Sequence, residues 1–239
     1  MSLSLVQVQE HSPSPVGEGE CSKAALWSPR PRHAGQVPRS VAIVAMGDSS
    51  KTYLNTCARK GDRRLVADET WAIVATAGVI QHDRLFLMDD IPNILEPTLK
   101  HDVCMQGMWG WLKNHPGPIY TSKTYPEYPG TVDYPLHDVV EAVGMAYFST
   151  SVAYAVGYAI YLGQFGLEEI QLYGCDFTYP DKHASESGRA CVEWLIAVAM
   201  SHDIRIVIAE DSTLMDCSQM KRRLYGYVDP PNITVNVKE

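Results

Sequence analysis

The feature that most constrains this chain is an alternation of short, nearly continuous apolar runs with longer stretches of helical period. Residues 41–45, 70–75, 84–88, 118–122, 169–173 and 205–209 are of strand length and apolar on both faces. Residues 51–58, 94–114, 151–163 and 185–201 carry helical patterning, and a shorter helical piece follows Glu210. Strands that bury both faces and alternate with helices specify a parallel sheet covered on each side. The predicted fold is therefore α/β: a doubly wound, mostly parallel, Rossmann-like single domain over residues 39–239, with residues 1–38 as a flexible leader. That leader is rich in Ser, Pro, Gly and charge and shows no period that could bury a face.

Composition narrows the class of ligand. The 239 residues are 46% hydrophobic and 20% charged, with a net charge of −8. An acidic balance of that size argues against a surface that grips nucleic acid by bulk electrostatics. The six cysteines are widely spaced, with no C-x-x-C pair, as expected of reduced thiols in a cytoplasmic protein. No apolar run reaches the roughly 20 residues of a membrane helix, so no membrane span is expected. Assembly into a homo-oligomer is left open.

In a doubly wound sheet, ligands sit at the carboxyl ends of the strands, near the point where strand order reverses. Polar and small residues gather at these ends: Gly47-Asp48-Ser49-Ser50, Thr76-Ala77-Gly78, Asp89-Asp90, Ser122-Lys123-Thr124, Gly174-Cys175-Asp176-Phe177 and Glu210-Asp211-Ser212. Gly47 permits a sharp turn, and Asp48, Ser49 and Ser50 precede a helical stretch. Ser149-Thr150-Ser151 stands in the same way before "VAYAVGYAIYLG". Hydroxyls at a helix start have two readings, as caps or as part of an anion site for a nucleotide's phosphates, and both stay open. Asp89 and Asp90 are candidate ligands for Mg or Mn, which would in turn hold a diphosphate. Adjacent residues of an extended strand point to opposite faces, however, so a capping or ligand-facing role competes with metal. His183 lies in a polar loop ahead of a helix, where an imidazole can serve as a general base. The Tyr-rich segment 124–135 has the length and composition of a lid or stacking surface.

The segments "VAIVAMGDSSKTYL", "YFSTSVAYAVGYAIYLG" and "EEIQLYGCDFTYP", with the His-containing loop that follows, resemble one family. It comprises single-domain bacterial sialyltransferases, motility-associated flagellin glycosyltransferases and 6-hydroxymethyl-dihydropterin diphosphokinase-like proteins, with uncharacterised phage members. The likeness spans most of residues 40–210. The family's Gly-Asn-Gly-Pro-Ser-Leu loop is matched by residues 45–50, where Gly47 and Ser49 carry over and the Asn and Pro do not. Its Thr-Ser-Gly is matched by Thr150 and Ser151, with Val152 replacing the Gly, and its Gly-x-Asp by Gly174 and Asp176.

The resemblance implies a nucleotide-dependent transferase, foremost a glycosyltransferase acting on a nucleotide-sugar donor and a hydroxyl acceptor. It implies nucleotide contacts from Gly47, Asp48, Ser49, Ser50, Thr150, Ser151 and Gly174, orientation by Asp176, and His183 as general base. Lys123 and Arg189 are the nearest cations by sequence to neutralise a leaving phosphate. Diphosphate transfer from ATP through a metal at Asp89 and Asp90 is one rival reading. A non-catalytic binding or assembly protein that keeps the fold is another.

Overall fold

The computed structural model describes residues 37–95 and 111–218. The expected leader, most of the expected helix 94–114 and the segment after residue 218 lie outside the described residues. Within them, β1 (Ser40–Val44), β2 (Glu69–Ile73), β3 (Arg84–Phe86), β4 (Ile119–Thr121), β5 (Thr131–Asp133), β6 (Glu169–Tyr173) and β7 (Arg205–Ile208) form one sheet. Its order is β5-β4-β3-β2-β1-β6-β7, and all neighbouring strands run parallel. The chain steps outward from β1 to β5, returns past β1 to β6, and steps the other way to β7. Strand order therefore reverses between β1 and β6, which confirms the doubly wound, Rossmann-like fold and fixes where its crevice lies.

The uninterrupted apolar character of β1 follows from its two covered faces. Val41 and Ile43 pack with Trp71 and Phe86 in one core, beneath α2 (Leu136–Val143), α3 (Ser151–Gly163) and α4 (Lys182–Ser201). Ala42 and Val44 pack on the opposite face with Tyr53 of α1 (Ser50–Lys60) and with Tyr173. The α1 helix ends at Gly61, whose φ of 81° is the left-handed conformation that closes a helix. In α3, ten of 13 residues are buried. Its Ala- and Gly-rich sequence permits this close approach, since a Cβ on Gly157 would lie 2.6 Å from the Phe148 ring.

Several expectations need correction. The segment 124–135 is no lid: Tyr125, Tyr128 and Tyr134 are buried, and the segment contains the edge strand β5. An amphipathic helix, α2, stands where none was expected. Helix α4 begins at Lys182 rather than Ser185, because the Asp181 carboxylate accepts from the backbone N–H groups of His183 (2.9 Å) and Ala184 (3.2 Å) and caps it.

Candidate functional site

The reversal point places the loop after β1 against the loop after β6. The Gly47 N–H donates to the Gly174 carbonyl at 2.8 Å. No side chain fits between them, for a Cβ on Gly174 would lie 2.1 Å from the Ala45 carbonyl oxygen, and one on Gly47 would lie 2.4 Å from Asp176 Oδ2. Gly174 also has φ 66°, a left-handed conformation that disfavours any other residue.

Beneath this contact lies a buried polar hub centred on Asp176. Its Oδ2 accepts the Ser49 backbone N–H at 2.8 Å, and its Oδ1 accepts the hydroxyls of Ser49 at 2.6 Å and Ser212 at 2.7 Å. Ser49 Oγ in turn accepts the Gly174 N–H at 2.8 Å, and Ser212 Oγ accepts the Leu214 N–H at 3.1 Å. The Thr213 hydroxyl donates to the Asp176 carbonyl. Ser49, Asp176 and Ser212 are at most 3% exposed. One carboxylate thus ties together the loops that follow β1, β6 and β7.

Ser49 and Asp176 accordingly shape the site from below. The Ser49 hydroxyl makes no capping bond to α1, and both its donor and its acceptor capacity are engaged within the hub. Ser212 and Thr213 carry no local motif. Their only sequence signal is that residue 212 closes a strand end at the ligand-binding rim.

Above the hub opens a cleft of about 170 Å³, lined by Ala45, Met46, Gly47, Val152, residues 174–178 and Tyr179. Val152 belongs to the first turn of α3, so that helix start faces the cleft. Thr150 is its N-cap, accepting the Ala153 N–H at 3.2 Å, and Ser151 Oγ accepts the Met88 N–H at 3.3 Å. Capping therefore occupies the Thr150 hydroxyl, while the unpaired N–H groups of the first helical turn leave a site attractive to an anion. Among the described residues no Lys or Arg lines the cleft.

The other predicted residues stand around this centre. Asp48 is exposed and pairs with Lys51 at 2.9 Å, which holds its carboxyl below the usual carboxylate range. Ser50 opens α1, its Cβ beside Gly174. His183 is exposed on the first turn of α4, beyond Tyr179, whose carbonyl accepts the Ser185 hydroxyl at 3.1 Å. Asp89 follows β3, and burial pushes its carboxyl above the ordinary range. Asp90 accepts the N–H and the Nδ2 of Asn93, both at 3.1 Å, and faces Lys123 Nζ at 3.9 Å.

Among the described residues no three His, Cys, Asp or Glu side chains gather where one cation could bind. Arg189 pairs with Glu193 (2.8 Å) and Asp216 (3.0 Å). Lys123 lies past β4, three strands from β1 and so about 14 Å from the reversal point at the usual strand spacing.

Backbone strain also concentrates at this rim. Val74 after β2 (φ 47°), Phe177 after β6 (φ 50°) and Met215 after β7 (φ 53°) all hold left-handed conformations. Such a conformation is rare for a β-branched residue, and strain of this kind collects at ligand-binding loops.

No protein-family model matches the chain, and a search of curated proteins finds no match. Among the described residues no helix is long and apolar enough to cross a membrane.

Proposed function

We propose that the protein is a nucleotide-dependent transferase of the glycosyltransferase class, with the donor seated in the cleft between the β1 and β6 loops. One observation carries this reading: the cleft lies at the reversal of strand order and meets the close-packed Gly47 and Gly174 of two loops and the amino terminus of the 13-residue α3. Phosphate oxygens are stabilised there by first-turn N–H groups and the helix field. At about 170 Å³ the cleft is smaller than the roughly 300–1,000 Å³ of a pocket that encloses a drug-sized ligand. It therefore suits the phosphate-bearing part of the donor, with the remainder lying over exposed Met46 and Tyr179.

In the transfer, the acceptor hydroxyl oxygen bonds to the anomeric carbon of the donor sugar as the bond from that carbon to the phosphate oxygen breaks. The neutral His183 imidazole takes the hydroxyl proton, and the nucleotide leaves with the electron pair. Asp176 acts at one remove, by holding Ser49 and Gly174 so that the cleft keeps its shape.

The reading is tested by titrating CMP-, UDP- and GDP-sugars and ATP, with and without magnesium, into the full chain and following thermal stability. A ligand at a hundred times its dissociation constant adds about 2.7 kcal/mol of stability. Where a donor is found, His183→Ala is expected to lower turnover by about 10²- to 10⁴-fold with donor affinity intact. Binding of none of these ligands would overturn the proposal. Full turnover in His183→Ala would remove the general base and leave the donor site standing.

A further inference from the structure

At the amino-terminal edge of the sheet, remote from the cleft, two histidines meet. His82 precedes β3 and His115 precedes β4, and their rings lie nearly coplanar and edge to edge, with a centroid distance of 5.1 Å and an interplanar angle of 10°. His82 Nε2 and His115 Nε2 are 2.9 Å apart. Trp111 packs against both, with ring centroids 6.2 Å from His82 and 4.9 Å from His115.

The surrounding backbone fixes where the protons are. His82 Nδ1 lies 2.9 Å from the Ile80 carbonyl oxygen, which can only accept, so Nδ1 carries the hydrogen and Nε2 of the neutral ring is a lone pair. The Gly117 N–H lies 3.0 Å from His115 Nδ1, so that nitrogen accepts and Nε2 carries the hydrogen. The inter-ring contact is then a hydrogen bond donated by His115 Nε2–H to His82 Nε2. Every ring nitrogen is engaged, and the two lone pairs of the arrangement both already receive a donor.

We propose that the His82–His115 contact is a proton-operated latch joining the segments that lead into β3 and β4. A proton added at His82 Nε2 sets two N–H groups against each other across 2.9 Å. One added at His115 Nδ1 opposes the Gly117 N–H. Neither ring can become cationic without giving up a hydrogen bond of the latch, so acidification releases residues 111–117 from the lead-in to β3.

The local charges do not offset this. Among the described residues the charged groups acting on His82 are Asp83 and Arg63, which oppose each other and are already paired at 2.6 Å; on His115 it is His82 itself. Burial lowers both imidazoles, His115 to about 4. A folded value below the unfolded value of about 6.5 means that stability is fully present above pH 6.5. It is lost as pH falls from there toward the folded value.

The test uses the full chain labelled with ¹⁵N. Long-range ¹H–¹⁵N spectra, assigned in the wild type by through-bond correlation of each ring to its own backbone, are expected at pH 7.5 to give the Nδ1–H tautomer for His82 and the Nε2–H tautomer for His115. Both rings should stay neutral as pH passes 6.5 and should change together at lower pH, toward the value of about 4 to which His115 is pushed, with faster amide exchange at Gly117 after correction for intrinsic rates. Wild type should lose up to about tenfold in folding equilibrium constant per pH unit for each histidine over that window. His115→Phe, which retains a ring against Trp111, should show a shallower slope. The opposite tautomers, either ring titrating at its ordinary value, or equal slopes in wild type and His115→Phe would overturn the latch. The wild-type spectra decide the matter even if no variant folds.

Discussion

Asp176, on the β1/β6 side of the carboxyl-end rim, and Asp89, on the β3 side, both follow buried strands, yet their carboxylates meet different fates. Asp176 is almost inaccessible and accepts three hydrogen bonds from three donors on two other loops. Asp89 is partly buried, is raised by that burial, and among the described residues has its own backbone N–H alone to offset the cost. The first arrangement makes charge a structural fastener. The second leaves a charge that the fold tolerates rather than uses. Depth alone does not separate them; the number of donors aimed at each does.

The largest effect should come from removing the fastener. Asp176→Ala strands the Ser49 N–H and the hydroxyls of Ser49 and Ser212 in a buried pocket, each losing its acceptor. We expect a loss of about 3–5 kcal/mol in urea unfolding, the range for breaking a buried network. A loss below about 1 kcal/mol would show that the three loops hold their positions without it. Next in size is Gly174→Ala, where a left-handed conformation and a Cβ 2.1 Å from the Ala45 carbonyl combine. About 3 kcal/mol is expected, since this clash is with backbone and cannot be relieved by a rotamer change. Thr150→Ala removes one capping bond to α3 and should cost about 1 kcal/mol by the same measurement. Any further loss in donor binding would have to come from displacement of the helix start.

The contrast between the two carboxylates also marks how far the sequence could be read. The parallel sheet and the glycine loops were legible because they are written locally, in apolar runs and in residues that only tight turns require; the order of the strands, and with it the place of the reversal, emerges only from pairing between distant segments. The hub was not, because Asp176 reaches Ser49 across 127 positions and Ser212 across 36, and nothing near Ser212 announces that its hydroxyl turns inward. Ser49 looked like a cap or an anion contact because a hydroxyl before a helix usually is one; here a buried carboxylate competes successfully for it. The Tyr-rich segment misled for a related reason. Tyr125 and Tyr128 supply core, and Thr131 Oγ1 organises their turn by accepting the Tyr125 N–H at 2.9 Å and donating to the Tyr128 carbonyl at 2.8 Å. Composition could report aromatic content there but not which way it faced.

On the β3 side the expected change has the opposite sign. Because burial raises the Asp89 carboxyl, folding is favoured while the group is protonated, and that advantage is lost as pH rises from the unfolded value of about 3.9 through the folded value. Asp89→Asn should therefore gain about 1 kcal/mol at pH 7, and the gain should disappear at pH 3.5. A destabilised Asn variant at pH 7 would mean that the charge has a partner that offsets its burial, and the comparison with Asp176 would fail.

The smallest effect isolates what the rim does for a ligand rather than for the fold. Asp48 sits on the β1 loop beside the hub, but it is exposed, and among the described residues its one ion pair is with Lys51, three residues on. Surface pairs of this kind contribute little, because water screens both charges and holding the side chains together costs entropy. Asp48→Ala should leave the melting temperature within error, where Asp176→Ala does not. Since the fold is indifferent to Asp48, a change in nucleotide affinity in this variant reports directly on contact with the ligand. Removing a negative charge from the mouth of the proposed phosphate site should tighten binding, most clearly at low ionic strength, where the repulsion is least screened. Weaker binding would instead make Asp48 a ligand contact, through a donor group of the nucleotide such as a ribose hydroxyl. A drop in melting temperature would show that the loop's order depends on the Lys51 pair as well as on the buried hub.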